Sequence, residues 1–305
     1  MITDAELGAV HANDLSTLCE LDRRGLLLGA RETLDKYAAR LECLRRNIQK
    51  MEDSLEAESC FQIDDLTLQA EERIDASQFA EARDITDSKY GFSIDWVPGF
   101  YINPRMGWLF GGCAFYFFPD FFAVFILRRA FASRQRWLIY DRSELLAHEL
   151  CHVARLPLQS HQYEEQFAYQ TSTSAFRRAV GGTFRGAGDS LLLLAPTFLL
   201  LAAQICRLFL WAAIPIWPFW GLVLLAAAFL FTRGHLSQKR LKKARQNLQK
   251  AGISATDPVL FRCTDKEIDE LADAPENQAT DIISRWQQSA PRWQVITQRF
   301  LKKDD

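Results

Sequence analysis

The chain has 305 residues, room for roughly two domains of about 150 residues each. Its 36 basic and 38 acidic residues leave a net charge of −2, which argues against a dedicated nucleic-acid binder. The total hides an asymmetry: residues 1–90 carry 20 Asp/Glu against 11 Lys/Arg, whereas residues 177–250 carry 11 Lys/Arg against a single acid, Asp189, a pattern suited to a membrane surface or a polyanion.

Residues 1–89 read as a helical N-terminal region. Leu27, Ala30, Leu34, Tyr37, Leu41, Leu44, Ile48, Met51 and Leu55 recur in alternating steps of three and four, the a/d spacing of a heptad repeat. Two partners suit such a stripe. One is a second copy of the chain, giving a homo-oligomer through the 27–55 heptads. The other is a helical stretch over 61–83, folded back as an antiparallel hairpin. From residue 90 the composition turns to Gly, Pro and aromatics. The apolar runs 108–118 and 121–127, separated by Pro119 and Asp120, predict a β-hairpin. That same punctuation weakens a transmembrane reading of 107–127.

Residues 141–178 read as helix with a break at Pro157. Asp141 is the predicted N-cap, with Glu144 three positions on as its capping-box partner. Gly181, Gly182, Gly186 and Gly188 loosen the chain beyond it. Residues 190–232 then run for 43 positions with one charge, Arg207. A bilayer-spanning helix needs about 20 apolar residues, so this length predicts two spans, 190–209 and 218–232, around a Pro- and Trp-rich turn. Arg177, Arg178 and Arg185 precede the pair. Arg233, Lys239, Arg240, Lys242, Lys243, Arg245 and Lys250 follow it. The positive-inside rule keeps both flanks in the cytoplasm. The 239–250 cluster suits anionic lipid headgroups or a solvated helix face equally well. Residues 255–305 read as mixed helix, with Thr264 and Glu267 forming a capping box before Ile268 and Leu271.

The chemistry concentrates in 142–172. His148 and His152 are four apart on the predicted helix, so their imidazoles share a face and can converge on one metal ion. Glu149 follows the first histidine and is placed as general base for a water at that metal. Three of the chain's five histidines lie within 148–161. Glu165, Glu164 and His161 are the candidates for a third ligand. Cys151 points away from the shared face and reads as packing. Tyr163 and Tyr169 are each either helix packing or hydrogen-bond donors to an oxyanion. Tyr169 or Glu144 is placed to orient the histidines.

The His148-Glu149-Leu150-Cys151-His152 motif, followed by Glu165-Gln166-Phe167-Ala168, resembles the gluzincin pattern of zincin-type metallopeptidases. The likeness covers about 30 residues closely and residues 90–180 loosely. It implies an α+β, zincin-like catalytic domain, a short sheet plus the HExxH helix, over 90–188. It also implies Zn2+ held by His148, His152 and Glu165. This chain departs from the pattern in its short spacing between His152 and Glu165, and in Tyr169 where an aspartate often stands. With His161 as third ligand the motif is instead similar to SprT-like proteases. A metzincin would need its third histidine at Leu158.

The sequence thus predicts a zincin-like domain between the N-terminal helical region and a transmembrane hairpin over 189–232, with a basic, helical cytoplasmic tail over 233–305. The expected function is zinc-dependent hydrolysis of peptide or protein substrates. The protein would be integral to a membrane, with the catalytic domain facing the cytoplasm (the inner membrane, in a bacterium). The lipid bilayer is an expected partner and nucleic acid is not. The rival is a membrane scaffold with a structural metal site. Seven scattered cysteines without a CxxC suit free thiols in a reducing compartment, and no cleavable secretory signal is visible at Met1.

Overall fold

A computed structural model describes residues 2–64, 66–102, 110–117, 122–275 and 278–302. The elements are α1 (Asp4–His11), α2 (Leu15–Arg23), α3 (Leu34–Glu58), β1 (Cys60–Ile63), β2 (Leu66–Gln69), α4 (Ala80–Tyr90), β3 (Gly99–Ile102), β4 (Gly112–Phe117), β5 (Phe122–Arg128), β6 (Arg136–Trp137), β7 (Tyr140–Asp141), α5 (Arg142–Arg155), α6 (Glu164–Tyr169), α7 (Ala175–Val180), α8 (Ala187–Phe209), α9 (Trp217–Lys250), α10 (Thr256–Phe261), α11 (Asp265–Asp273), α12 (Ala279–Ser289) and α13 (Pro291–Ile296). The architecture is α+β and mostly helical, with small sheets.

The heptad stripe is buried within the chain itself. Thr33 caps α3, and Tyr37, Leu41, Leu44, Ile48, Met51 and Leu55 are buried along it. Leu27 and Ala30 precede the helix, so the repeat occupies a shorter stretch than its spacing suggests. The helix expected over 61–83 forms only from Ala80, where α4 begins; strands and short 3-10 turns precede it. Ser59 turns left-handed at φ +57° and ends α3; β1 then pairs antiparallel with β2. Phe61 and Leu68 are the inward residues of that hairpin, the alternation of a half-buried strand.

The larger sheet has the order β3-β5-β4, with β3 parallel and β4 antiparallel to β5. The predicted pairing of 112–117 with 122–127 is present. Residues 108, 109 and 118–121, including Pro119 and Asp120, lie outside the described residues. Side chains alternate across β5 between two cores. Phe122, Val124 and Ile126 join α3 and the N-terminal helices. Ala123, Phe125 and Leu127 face α4 and α5. Burial on both faces explains why this strand reads as an unbroken apolar run.

The C-terminal helices belong to the second core. Phe261, Cys263, Ile268, Leu271 and Trp293 pack with Leu150, Cys151 and Ala154 of α5. The capping box of Thr264 and Glu267 opens α11 as predicted. Among the described residues two helices, α8 and α9, are long and apolar enough to cross a membrane, and only 11% of the apolar window in each is buried. α9 continues as one helix to Lys250, and in its second half Leu241, Ala244 and Leu248 enter the second core. The glycine segment is more ordered than its composition suggests: Gly181–Thr183 forms a 3-10 turn that docks on α9, with Gly234 against Thr183.

Candidate metal centre

Asp141 caps α5 through the backbone N–H groups of Ser143 and Glu144. Leu146, Leu150 and Val153 bury one side of the helix, which turns His148, Glu149 and His152 toward the sheet and α6. The chain leaves α5 through a 3-10 turn at Leu156–Leu158, where Pro157 stops the helix, and returns as α6.

Three donors meet at one point. His148 Nε2 and His152 Nε2 are 3.1 Å apart. Glu165 places Oε2 3.5 Å from the first and Oε1 3.5 Å from the second. Donors ~2.0–2.1 Å from a tetrahedral ion lie about 3.3 Å from one another, so the spacing matches a single site. Among the described residues, His148, His152 and Glu165 are the group able to hold a metal ion, with their donor atoms within 4.8 Å of one another.

Glu164, the nearest alternative, serves the site from behind. Its Oε1 lies 3.3 Å from His152 Nδ1, and its Oε2 accepts from Arg155 Nε at 2.8 Å. A carboxylate only accepts, so His152 carries its proton on Nδ1 and presents the Nε2 lone pair to the shared point. Arg155 is fully buried, stacked over Phe167 at 4.4 Å, and bonded to the Phe261 carbonyl and Ser160. The ligand helix is thereby tied to the C-terminal region.

His161 is not in the cluster: it is exposed, and its backbone N–H donates to Asp265. Glu144 does not orient the histidines. It accepts from Ser172, Thr173 and Arg177, which fixes the start of α7 instead of closing a capping box. Tyr163 is buried with its hydroxyl on Asp269 at 2.5 Å, which removes it as an oxyanion donor. Tyr169 does reach the site, its ring edge-on to His148 with centroids 4.6 Å apart. A β-carbon at Gly181 would lie 2.1 Å from that ring, so glycine alone lets the Gly181–Thr183 turn close over Tyr169. Cys151 is buried packing, and burial raises its thiol pKa.

Glu149 lies beside the donors and is held by the sheet. Its Oε2 accepts from the Ala114 N–H on β4, one of the two outer strands, at 3.0 Å. Burial pushes its carboxyl above the ordinary range, partly offset by the charge of His152 and the Ala114 N–H. The two histidines diverge. Burial and then the neighbouring His152 lower His148 to about 3. Burial also lowers His152, but the Glu164 hydrogen bond and the charges of Glu164, Glu165 and Glu149 outweigh it and raise the group to about 9. Two imidazoles this close disfavour a second positive charge, so one is pushed down while the other is held up by its carboxylate neighbours.

Sequence reasoning also missed Tyr116, two residues along β4 from Ala114. Its buried hydroxyl has no hydrogen-bond partner among the described residues, and burial followed by the charges of Glu149 and Glu164 raises its pKa. The site opens into a cleft of about 810 Å3 lined by His148, Glu149, Glu165, Tyr169 and Arg177. No protein-family model matches the chain, and neither a curated protein nor a solved structure is significantly similar to it.

Proposed function

We propose that the chain is a zinc-dependent peptidase with a zincin-like catalytic unit, anchored in a membrane by α8 and α9, its body on the cytoplasmic side. The observation that carries the reading is the convergence of His148, His152 and Glu165 at tetrahedral spacing with the partly buried Glu149 beside them. His148, His152 and Glu165 would hold the metal. Zinc there would supply Lewis-acid polarisation of the scissile carbonyl and a lowered pKa for water.

The chain's own residues do the rest. Glu149, held by the Ala114 N–H, takes the proton of the attacking water and returns it to the leaving amine. A carboxyl raised by burial is closer to the pH at which such a base works. β4 ends the sheet among the described residues, so the part of its edge not used by the Ala114 N–H could take an extended substrate by strand addition. Glu164 and Arg155 hold the His152 ring and its tautomer. A structural site is usually closed by four protein ligands; among the described residues the donor group has three, with a carboxylate at its side.

Zinc content of the detergent-purified chain tests the assignment. The parent is expected to carry a single zinc ion per chain; His148→Ala and Glu165→Ala lose it, and His161→Ala keeps it. Glu149→Gln keeps the metal and loses hydrolysis by about 10²–10⁴-fold, the range for removing a general base. Full hydrolysis by Glu149→Gln would overturn the reading. For the membrane part, reporters fused at residues 180 and 240 are expected to give the same cytoplasmic answer, because basic residues flank both ends of the pair. Opposite answers would mean a single span.

A further inference from the structure

The cleft that holds the metal donors has a rim of the opposite character. Ile139, Phe176 and Phe184 line it while remaining 69%, 74% and 38% exposed, and Leu138, beside Ile139, is 50% exposed. Large apolar side chains gathered at the mouth of a polar cleft mark a surface that something covers.

The local chemistry of the rim points the same way. β6 and β7 are joined by the two residues Leu138 and Ile139. A two-residue hairpin turn in water favours Asn-Gly, because the turn needs positive φ. Leu138 adopts φ +50° here, an uncommon conformation for a branched apolar residue. Water gives no reason to accept that backbone in order to display Leu-Ile; an apolar surrounding does. Trp137 and Tyr140 flank the tip, and the exposed Arg134 and Arg136 lie just before it. Aromatic residues followed outward by arginines are the layering of a membrane–water interface.

The rim is continuous with the apolar helix pair. The same cleft is lined by Gly186 and by Ser190, which lies in α8. At the base of the pair Arg233 bonds to Asp189, Arg185 donates to Ser237, and Gly234 packs against Thr183. This charged collar marks the level at which the apolar helices end. Phe184 sits within it, between Thr183 and Arg185.

We propose that Leu138, Ile139, Phe176 and Phe184 seat in the interfacial layer of the bilayer crossed by α8 and α9. The metal cleft then opens at the membrane surface, and its substrates are polypeptide segments within a few residues of a membrane span. The substrate half rests on the peptidase reading; the location of the rim does not.

Two measurements on the full chain in lipid nanodiscs test this. The first uses a phospholipid with a diazirine high on its acyl chain, with adducts mapped by mass spectrometry on the parent and on Glu149→Gln. Adducts at 137–140 and 176–184, beside those in 187–232, are expected in both. Adducts confined to 187–232 overturn the proposal, leaving a second protein as the occupant of the rim. The second places one scissile sequence at increasing distance from a single membrane span in a co-reconstituted substrate. Cleavage is expected to fall at least about tenfold as the spacer lengthens from ~5 to ~25 residues, since reach and effective concentration depend on the span. Equal cleavage at every spacer overturns the substrate class. Rim adducts without cleavage at any spacer overturn the peptidase reading and its substrate class, and leave the rim where it is proposed. Cleavage without rim adducts does the reverse.

Discussion

α3 and the α8–α9 pair are both rich in apolar residues, and they end in opposite surroundings. On α3 the apolar residues form a stripe, and the stripe is buried, with Leu41, Leu44 and Met51 at no more than 1% exposure. On α8 they surround the helix, and Phe198, Leu208 and Phe209 stay 64–75% exposed. A striped helix needs one apolar neighbour; a helix apolar all round needs an apolar solvent. Both helices favour one face to a similar degree; what separates them is that α3 fills its other face with charged residues, whereas α8 has almost no polar face to offer water.

That contrast can be broken or sharpened by substitution. The largest effect is expected in the stripe. Leu41→Ala removes a fully buried side chain from the N-terminal core and should cost about 2–5 kcal/mol, read from thermal unfolding in detergent. A loss within experimental error would mean that the stripe is not part of the core. Leu201→Arg puts a charge in the middle of α8, where it should oppose membrane insertion by about 2.5–3.5 kcal/mol in a translocation assay. Unchanged insertion would remove α8 from the list of spans.

Buried charge in the body is tolerated where it is paired. Glu267 is largely buried, which alone would raise its pKa; Arg292, Thr264 and Trp293 outweigh burial and hold the carboxyl below its ordinary value. A depressed carboxyl contributes stability above the unfolded-state value near 4.5, and that contribution is lost as pH falls through the lower folded value. Glu267→Gln should therefore be about 1.5–3 kcal/mol less stable at pH 7, with a flatter dependence of stability on pH below 4.5. Parallel acid-unfolding profiles for parent and variant would refute the pairing. The smallest effect belongs to the exposed surface of α8. Leu208→Ala should change unfolding by less than about 0.5 kcal/mol, and a loss matching that of Leu41→Ala would place α8 inside a core.

What the sequence made legible was local. The four-residue step from His148 to His152 needs only a helix to bring two imidazoles together, and Asp141 capped that helix as its type and position imply. Choosing between Glu164 and Glu165 needed the phase of a second helix, because adjacent helical residues point about 100° apart. The structure turns Glu165 to the donors and Glu164 to the back of His152. Arg155 gave no signal, since its carbonyl partners Phe261 and Cys263 are more than 100 residues away. Of the two roles open to Tyr163 the structure shows packing, and its hydroxyl partner Asp269, on α11, could not be read from the local sequence. In the 61–83 stretch the left-handed Ser59 and the turn at Asp64, φ +49°, decide for strands over 60–69, and helix begins only at Ala80.

One feature of α9 bears on the mechanics of the molecule. Anchored domains commonly hang from flexible linkers, which let them sweep a volume around the point of attachment. α9 has 34 residues and, at 1.5 Å each, is about 51 Å long without a break. Its first half is apolar and exposed; its second half is keyed into the body through Leu241, Ala244 and Leu248, with Arg240 clamped to Asp269 and Asp273. The joint has no swivel on this side. Any tilt of the apolar half is also a tilt of the body, so in the proposed anchored state the direction in which the cleft faces is set by the same rod that fixes its height.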